Sequence, residues 1–200
     1  MAVVLGRKGG GAGGGGGSPT GAAGGDLSGT YPNPDVAIVD DDVLGSGTAS
    51  ANTVLKGDRS WDFPAGYEFG YDEVTSPVTV SSTTEATGTT VIACAAHTFD
   101  GDAVIAEFFC AAAGSGSGVT ATILVSLFEA ATQIGRISYM NTVAAAVQYM
   151  PLTGKLRFTP TAAAHTYTVT ATRTDSDGSL NCGVGGTAEW PPMFIRFTKA

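Results

Sequence analysis

The stretch Thr166-Tyr-Thr-Val-Thr-Ala-Thr172 alternates without a break between threonine and an apolar residue. In an extended chain Tyr167, Val169 and Ala171 share one face, and the threonines share the other. β-Branched and aromatic residues also fit the half-buried surface of a sheet. The stretch therefore predicts a β-strand that covers a core with one face and leaves the other face outward.

The same alternation recurs throughout residues 75–200. Val104, Ala106, Phe108 and Cys110 fall on one face of a strand, and the residues from Val119 to Leu127 repeat the pattern. Further strand-like segments begin at Pro77, Thr90, Ile137, Val147, Lys155, Thr166 and Met193. Predicted turns lie at Phe99-Asp-Gly101, Gly114–Gly118, Thr153-Gly154 and Asp177-Gly178. About eight to ten short strands at this spacing predict an all-β fold, an antiparallel jelly-roll sandwich whose last strand, Phe194–Thr198, ends inside a sheet.

The residues before this domain have a different composition. Of the 29 glycines, 13 fall in the first thirty residues. Residues 1–18 are glycine-rich and predict a flexible or threaded arm, because glycine offers no side chain to bury. Residues 19–74 contain prolines, further glycines and an acidic run, which predict an extended attachment or trimerisation segment ahead of the head domain at 75–200.

The charge balance excludes some partners. The chain has a formal net charge of −8, with 10 basic and 18 acidic residues. Nucleic-acid binding through neutralised phosphates is therefore not expected. No apolar run approaches the roughly 20 residues that cross a bilayer, so membrane insertion is not expected either.

Cys94, Cys110 and Cys182 are too few to pair completely. Each lies in an apolar, strand-like setting that favours buried reduced thiols, although one bridge that includes Cys110 is the alternative. The chain has no Cys-x-x-Cys motif and no histidine pair close by, so a zinc site is not expected.

Two phrases of the attachment segment go beyond composition. Gly24-Gly-Asp-Leu-Ser-Gly-Thr-Tyr-Pro-Asn-Pro34 resembles a short module of phage tail fibres and other virion appendage proteins. Thr53-Val-Leu-Lys-Gly-Asp-Arg-Ser-Trp61 resembles an element often found downstream of that module, with Arg59 where the element usually has glycine. In overall layout, the predicted jelly roll is similar to the trimeric, tumour-necrosis-factor-like heads of many phage fibres.

The resemblance implies a virion structural protein that is not an enzyme and needs no cofactor. Its expected partners are two further copies of itself, other virion proteins through residues 1–40, and a host cell-surface glycan or protein. It is expected in the virion, after assembly in the host cytoplasm. The residues it implicates in anchoring or trimer contacts are Leu27, Tyr31, Pro32, Asn33, Pro34, Leu55, Trp61 and Phe63.

Catalytic candidates are weak. His97 and His165 are the only histidines, and their positions at strand ends predict edge or loop residues. The chain also has no Gly-x-Ser-x-Gly elbow that would present a serine nucleophile to a histidine. Asp100 and Asp102 frame a turn at Gly101, and with Glu107 they do not predict the acid pair of a glycosidase. A tail-fibre or tail-tip protein is the first hypothesis, a capsid decoration or head-fibre protein the second, and a carbohydrate-active enzyme a remote third.

Three other groups have a structural and a binding interpretation. Asp175-Ser-Asp-Gly178 predicts a hairpin turn rather than a calcium loop. Asp40-Asp-Asp42 predicts a solvated linker rather than a cation site on a threefold axis. The aromatic residues before the head domain predict an apolar plug that locks the linkers of three copies together, and stacking on sugar rings is the alternative. These residues are Trp61, Phe63, Tyr67, Phe69 and Tyr71. Trp190 predicts a surface turn.

Overall fold

The computed structural model describes residues 27–28, 35–36, 46–115, 122–141, 148–174, 178–181 and 190–200. They fall into two compact units, Met1–Asp62 and Phe63–Ala200. Four two-residue strands lie in the first unit: β1 (Leu27–Ser28), β2 (Asp35–Val36), β3 (Val54–Leu55) and β4 (Trp61–Asp62). The second unit contains β5 (Glu68–Val74), β6 (Val78–Val80), a 3-10 turn (Glu85–Thr87), β7 (Thr89–Thr98), β8 (Val104–Ser115), β9 (Thr122–Glu129), β10 (Thr132–Asn141), β11 (Gln148–Phe158), β12 (Ala164–Arg173), β13 (Gly178–Asn181) and β14 (Met193–Lys199).

The second unit is an antiparallel β-sandwich. One sheet has the order β10-β9-β12-β7. The other has the order β5-β14-β8-β13-β6, with β11 paired on the far side of β8. When only the eight long strands are followed in chain order, the sheets alternate as in a jelly roll, which confirms the predicted fold class.

The core lies between the two sheets and follows the alternation in the sequence. Tyr167, Val169 and Ala171 of the opening stretch are buried, as predicted. The second sheet contributes alternate residues of β14, Met193, Ile195 and Phe197, which are fully buried. The prediction that the threonine face of this stretch lies outward is wrong at its end, because Thr170 and Thr172 are buried as well. The apolar burial between the sheets stabilises the sandwich by about 25 cal/mol per Å².

The last strand, β14, lies inside its sheet, which confirms the sequence prediction. It pairs with β5 on one side and with β8 on the other. At its end Lys199 is only 8% exposed, and its ammonium group lies 2.7 Å from a carboxylate oxygen of Asp100 and 2.8 Å from one of Asp102. These two carboxylates follow β7, at the turn where Gly101 adopts a φ of 94°, so the turn holds the end of β14.

The edges of the two sheets meet where β10 runs beside β11. The Ser138 hydroxyl donates a hydrogen bond of 2.7 Å to the carbonyl oxygen of Thr153. A Cβ atom on Gly154 would lie only 2.0 Å from the carbonyl oxygen of Ile137. The predicted turn at Thr153-Gly154 is therefore wrong: Gln148–Phe158 forms one strand, β11, in which Gly154 allows the neighbouring backbone to approach.

The hairpin predicted at Asp175–Gly178 is also wrong. The preceding strand, β12, lies in the four-stranded sheet, whereas the following strand, β13, pairs with β8 and β6 of the other sheet. The two strands therefore cannot form a hairpin with each other. Residues 175–177, and with them the calcium alternative, lie outside the described residues.

The sandwich includes residues that the sequence analysis assigned to the attachment segment. Strand β5, Glu68–Val74, pairs along β14 from Val74 to Glu68. A domain boundary at residue 75 would cut through this sheet, and the compact unit begins at Phe63. Cys94 and Cys110 are buried, whereas Cys182 lies outside the described residues.

In the first unit, a short antiparallel pair lies at each of the two phrases. Leu27 and Ser28 of the first phrase pair with Val36 and Asp35, which follow it, and the other residues of this phrase lie outside the described ranges. Leu55 pairs with Trp61 across the second. In the turn between β3 and β4, Arg59 has a φ of 64°, the left-handed region that favours glycine.

Replacing Gly154 with alanine tests the close approach of β10 and β11. The new methyl group would collide with backbone, which cannot rotate away, so we expect a loss of about 1–3 kcal/mol in the free energy of unfolding. Urea denaturation measures this change. Gly57→Ala is the matched control, since a Cβ there meets nothing within 4 Å. Equal stability of the two variants would contradict the interpretation.

Candidate functional site

An open groove lies at the edge of the four-stranded sheet. It is lined by Leu124 of β9 and by four residues of β10, Arg136, Ile137, Ser138 and Tyr139, and its volume is about 330 Å³. Tyr139 stands opposite Leu124 in the strand register and is 71% exposed. A register shift between Arg136 and Ser138 lets consecutive residues of β10 line the same groove.

One wall of the groove is held in place by an ion-pair network. The guanidinium of Arg136 donates two hydrogen bonds to the Glu85 carboxylate, of 2.8 and 2.7 Å. Ser126 and Gln133 donate to the same carboxylate. The hydrogen bond from Arg136 is the main reason that the pKa of Glu85 falls from its ordinary value of 4.5 to about 2. The charged network fixes the direction of the Arg136 side chain beside the groove.

The groove combines an exposed aromatic ring with aliphatic and polar neighbours. Leu124 and Ile137 offer apolar surface, while Ser138 and Arg136 offer polar groups at the rim. A tyrosine ring with an apolar face and a polar end suits ligands that are themselves flat and amphipathic. Sequence reasoning missed this site, because Ile137-Ser-Tyr-Met140 shows only the alternation of a strand and no signal for the register shift.

The two histidines face each other on neighbouring strands. His165 of β12 pairs in register with His97 of β7. His97 lies on an edge strand, as predicted, and its ring nitrogen is 2.5 Å from Asp72 of β5. His165 lies on an interior strand, which corrects the prediction of an edge or loop residue, and is 2.6 Å from Glu129. The hydrogen bond to Glu129 raises the pKa of His165.

These histidines have structural partners. Asp72 also accepts a hydrogen bond of 2.9 Å from the backbone N–H of Ala95, so it ties β5 of one sheet to β7 of the other. Burial and the nearby Asp72 raise the pKa of Cys94 to about 12, which keeps this thiol protonated. Neither feature supplies an activated nucleophile.

The acidic candidates are engaged in ion pairs. Asp100 and Asp102 hold Lys199. Glu107 lies 2.5 Å from Arg196 and 3.3 Å from Lys155, and the bond from Arg196 is the main cause of its lowered pKa. A carboxylate held ionised in this way is unsuited to act as a general acid at neutral pH.

The aromatic residues before the head have different environments. Phe63 stacks on Tyr67 with ring centroids 4.3 Å apart, and Phe69 packs between this pair and the buried Phe99. Tyr71 instead lies on the outer face, 5.4 Å from Phe194. Phe63, Tyr67 and Phe69 thus cap the core of their own sandwich.

The remaining predicted residues fall in several places. Leu55 and Trp61 pair in the β3–β4 hairpin, and Leu27 belongs to the backbone pair β1–β2. Trp190 is 39% exposed ahead of β14, as predicted. Tyr31, Pro32, Asn33, Pro34 and the run Asp40–Asp42 lie outside the described residues. Among the described residues, no helix is long and apolar enough to cross a membrane.

The fold defines the class of this protein as an all-β sandwich of the jelly-roll type. No protein-family model matches the chain, and no curated protein matches it. One solved structure with some likeness holds the CBM22-1–GH10 modules of the N-terminal endo-1,4-beta-D-xylanase 10B of Clostridium thermocellum, complexed with xylohexaose. The identity is 12% and the TM-score 0.32, over 68% of this chain and 29% of that chain. A likeness of this degree says nothing about ligand or activity.

Acidification tests the network beside the groove. Because the folded pKa of Glu85 is lower than the unfolded one, its carboxylate stabilises the fold above pH 4.5 and loses this contribution as the pH falls toward 2. We expect Glu85→Gln to lower the free energy of unfolding by about 1 kcal/mol at neutral pH, since solvent screens the exposed guanidinium. Urea unfolding across this pH range should show a flatter curve for the variant. Parallel curves would contradict the assignment.

Proposed function

We propose that this chain is a phage virion structural protein, a homotrimeric tail-fibre or tail-tip appendage that has no enzymatic activity. Residues 1–40 anchor it to other virion proteins, and the sandwich is displayed toward the host surface. The observation that carries the proposal is the order of the two phrases, Gly24–Pro34 and then Thr53–Trp61, ahead of a jelly-roll sandwich.

The β3–β4 turn supports this proposal. The second phrase resembles an element that usually has glycine where this chain has Arg59. The φ of 64° at Arg59 is a conformation that glycine adopts without strain. The turn therefore has the geometry that explains a glycine in the related element, even though the residue differs here.

The groove beside Tyr139 is the surface that we assign to host contact. Its exposed ring and fixed guanidinium suit a cell-surface glycan or the polar surface of a host protein. Binding at one such open groove is expected to be weak. Three copies on one appendage would raise the apparent affinity through effective concentration.

The first test concerns the anchor. A chain that lacks residues 1–18 should fold and oligomerise normally but should be missing from virions, because the sandwich residues begin at Phe63. Immunoblotting of purified particles against free protein measures the partition, with Tyr139→Ala as a full-length control that should incorporate normally. Normal incorporation of the shortened chain would contradict the anchoring role. Electron micrographs of particles in which this protein is labelled show whether it lies on the tail or on the capsid. A label on the capsid would favour the decoration or head-fibre protein.

The second test concerns the groove. We expect Tyr139→Ala to weaken binding of the full chain to host cells by about fivefold, because an aromatic contact contributes roughly 1 kcal/mol. Tyr139→Phe keeps the ring and should retain most of the binding. Fluorescently labelled protein and a cell titration measure this difference. Equal binding by all three proteins would exclude the groove, and reducing ends released from host polysaccharide would instead favour a carbohydrate-active enzyme.

A further inference from the structure

The connection between β6 and β7 lies on the outer face of the four-stranded sheet and ends beside the groove. This segment (residues 81–88, called here the strap) contains the 3-10 turn. It covers β12, because a Cβ atom on Gly88 would come within 2.8 Å of the Thr170 side chain. The part of the chain that the structure describes leaves the β9–β10 pair beyond the strap uncovered, and the groove beside Tyr139 lies there.

Glu85 of the strap uses only one edge of the Arg136 guanidinium. Nε and Nη2 each donate one hydrogen bond to the carboxylate, so three of the five N–H groups of this planar side chain lie on its other edge. Those three donate to no described residue, and 61% of the side chain is exposed. The ion pair therefore holds a second pair of donors in a fixed orientation beside the groove.

The charge of this ion pair is balanced. Glu85 also accepts hydrogen bonds from Ser126, of 3.0 Å, and from Gln133, of 3.3 Å. Its lowered pKa, which results mainly from the hydrogen bond with Arg136, keeps the carboxylate ionised at neutral pH. An anion at the other edge of the guanidinium would lie close to this negative charge, on a chain with a net charge of −8. Uncharged hydroxyl oxygens can accept the same hydrogen bonds without that repulsion.

The rest of the groove is apolar and small. The exposed ring of Tyr139 stands opposite Leu124 in the strand register, so its neighbour is an aliphatic side chain. The volume of about 330 Å³ lies at the lower end of the range for ligand pockets, roughly 300–1,000 Å³. The described lining comes from β9 and β10 alone, whereas a stable protein interface uses roughly 20–30 residues a side. The groove therefore fits a small amphipathic ring better than the surface of a protein.

A pyranose ring has an apolar face of C–H groups and a rim of hydroxyl groups. We propose that the groove binds one uncharged hexopyranose unit of a glycan, with its apolar face on the Tyr139 ring and two adjacent hydroxyl oxygens on the outer edge of Arg136. Glu85 is the residue that determines specificity, because it balances the charge of Arg136 and disfavours sugars that carry a carboxylate. The assignment rests on the host-contact role of the groove in the proposed function, and it selects a glycan over a host protein.

Monosaccharide titration of the full chain tests the ligand class. The probes are the methyl pyranosides of glucose, galactose and mannose, each compared with the uronate of the same ring, and saturation-transfer NMR measures binding. At least one neutral glycoside should bind with a millimolar dissociation constant, and its uronate should bind about fivefold more weakly or less. Tyr139→Ala should remove the binding, whereas Tyr139→Phe should keep it. No binding by any neutral glycoside, or tighter binding by a uronate, would overturn the proposal.

Glu85→Gln tests the origin of the specificity. The amide can still accept from Arg136, but the guanidinium then carries an unbalanced charge, so the ratio of uronate to neutral affinity should rise about tenfold. Glu107→Gln changes the net charge equally and removes the partner of Arg196 on the other sheet, so this matched control should leave the ratio unchanged. Arg136→Lys, which keeps the charge without the planar pair of donors, should weaken binding of the neutral glycoside. An unchanged ratio in Glu85→Gln would contradict the role of Glu85.

Treatment of the host cells separates the ligand class from the proposed function itself. Periodate cleaves the bond between two carbons that carry adjacent hydroxyl groups, so it should abolish the cell binding that depends on Tyr139. Protease digestion of the cell surface should not. The reverse result would overturn the glycan and leave the groove as a site for a host protein. If the wild type binds no host cell, the host-contact role fails, and the monosaccharide titration still decides the ligand class.

Discussion

The placement of β14 between β5 and β8 is the constraint on which the sandwich depends. This strand joins the first and third long strands of the jelly roll, which otherwise have no hydrogen-bonded neighbour in common. Its inward residues are fully buried, and its end is held by Lys199 between Asp100 and Asp102. An ammonium group this buried requires its carboxylate partners, because an unpaired charge in a core is strongly unfavourable.

With β14 in place, the two sheets contact each other along both of their sides, and each of these lines of contact is called a seam here. At one seam Gly154 brings β11 against the backbone of β10. At the other, Asp72 of β5 reaches the backbone of Ala95 and the ring of His97 on β7. Histidines and acids that a search for catalysis would select are therefore used to close the fold. Each of these side chains therefore has a structural partner among the described residues.

The amino-acid sequence alone determined the fold class and most strands, because Thr166–Thr172 and the stretches like it can bury one face only as strands. It also located the two phrases from which the functional proposal starts. The tertiary structure alone decided that Gly154 lies within a strand, that β12 and β13 belong to different sheets, and that His165 lies on an interior strand. Local pattern does not encode these features, because each depends on a backbone or side chain distant in the sequence. The groove at Tyr139 depends in part on such a distant contact, since Glu85 holds the Arg136 side chain beside the β9–β10 hairpin.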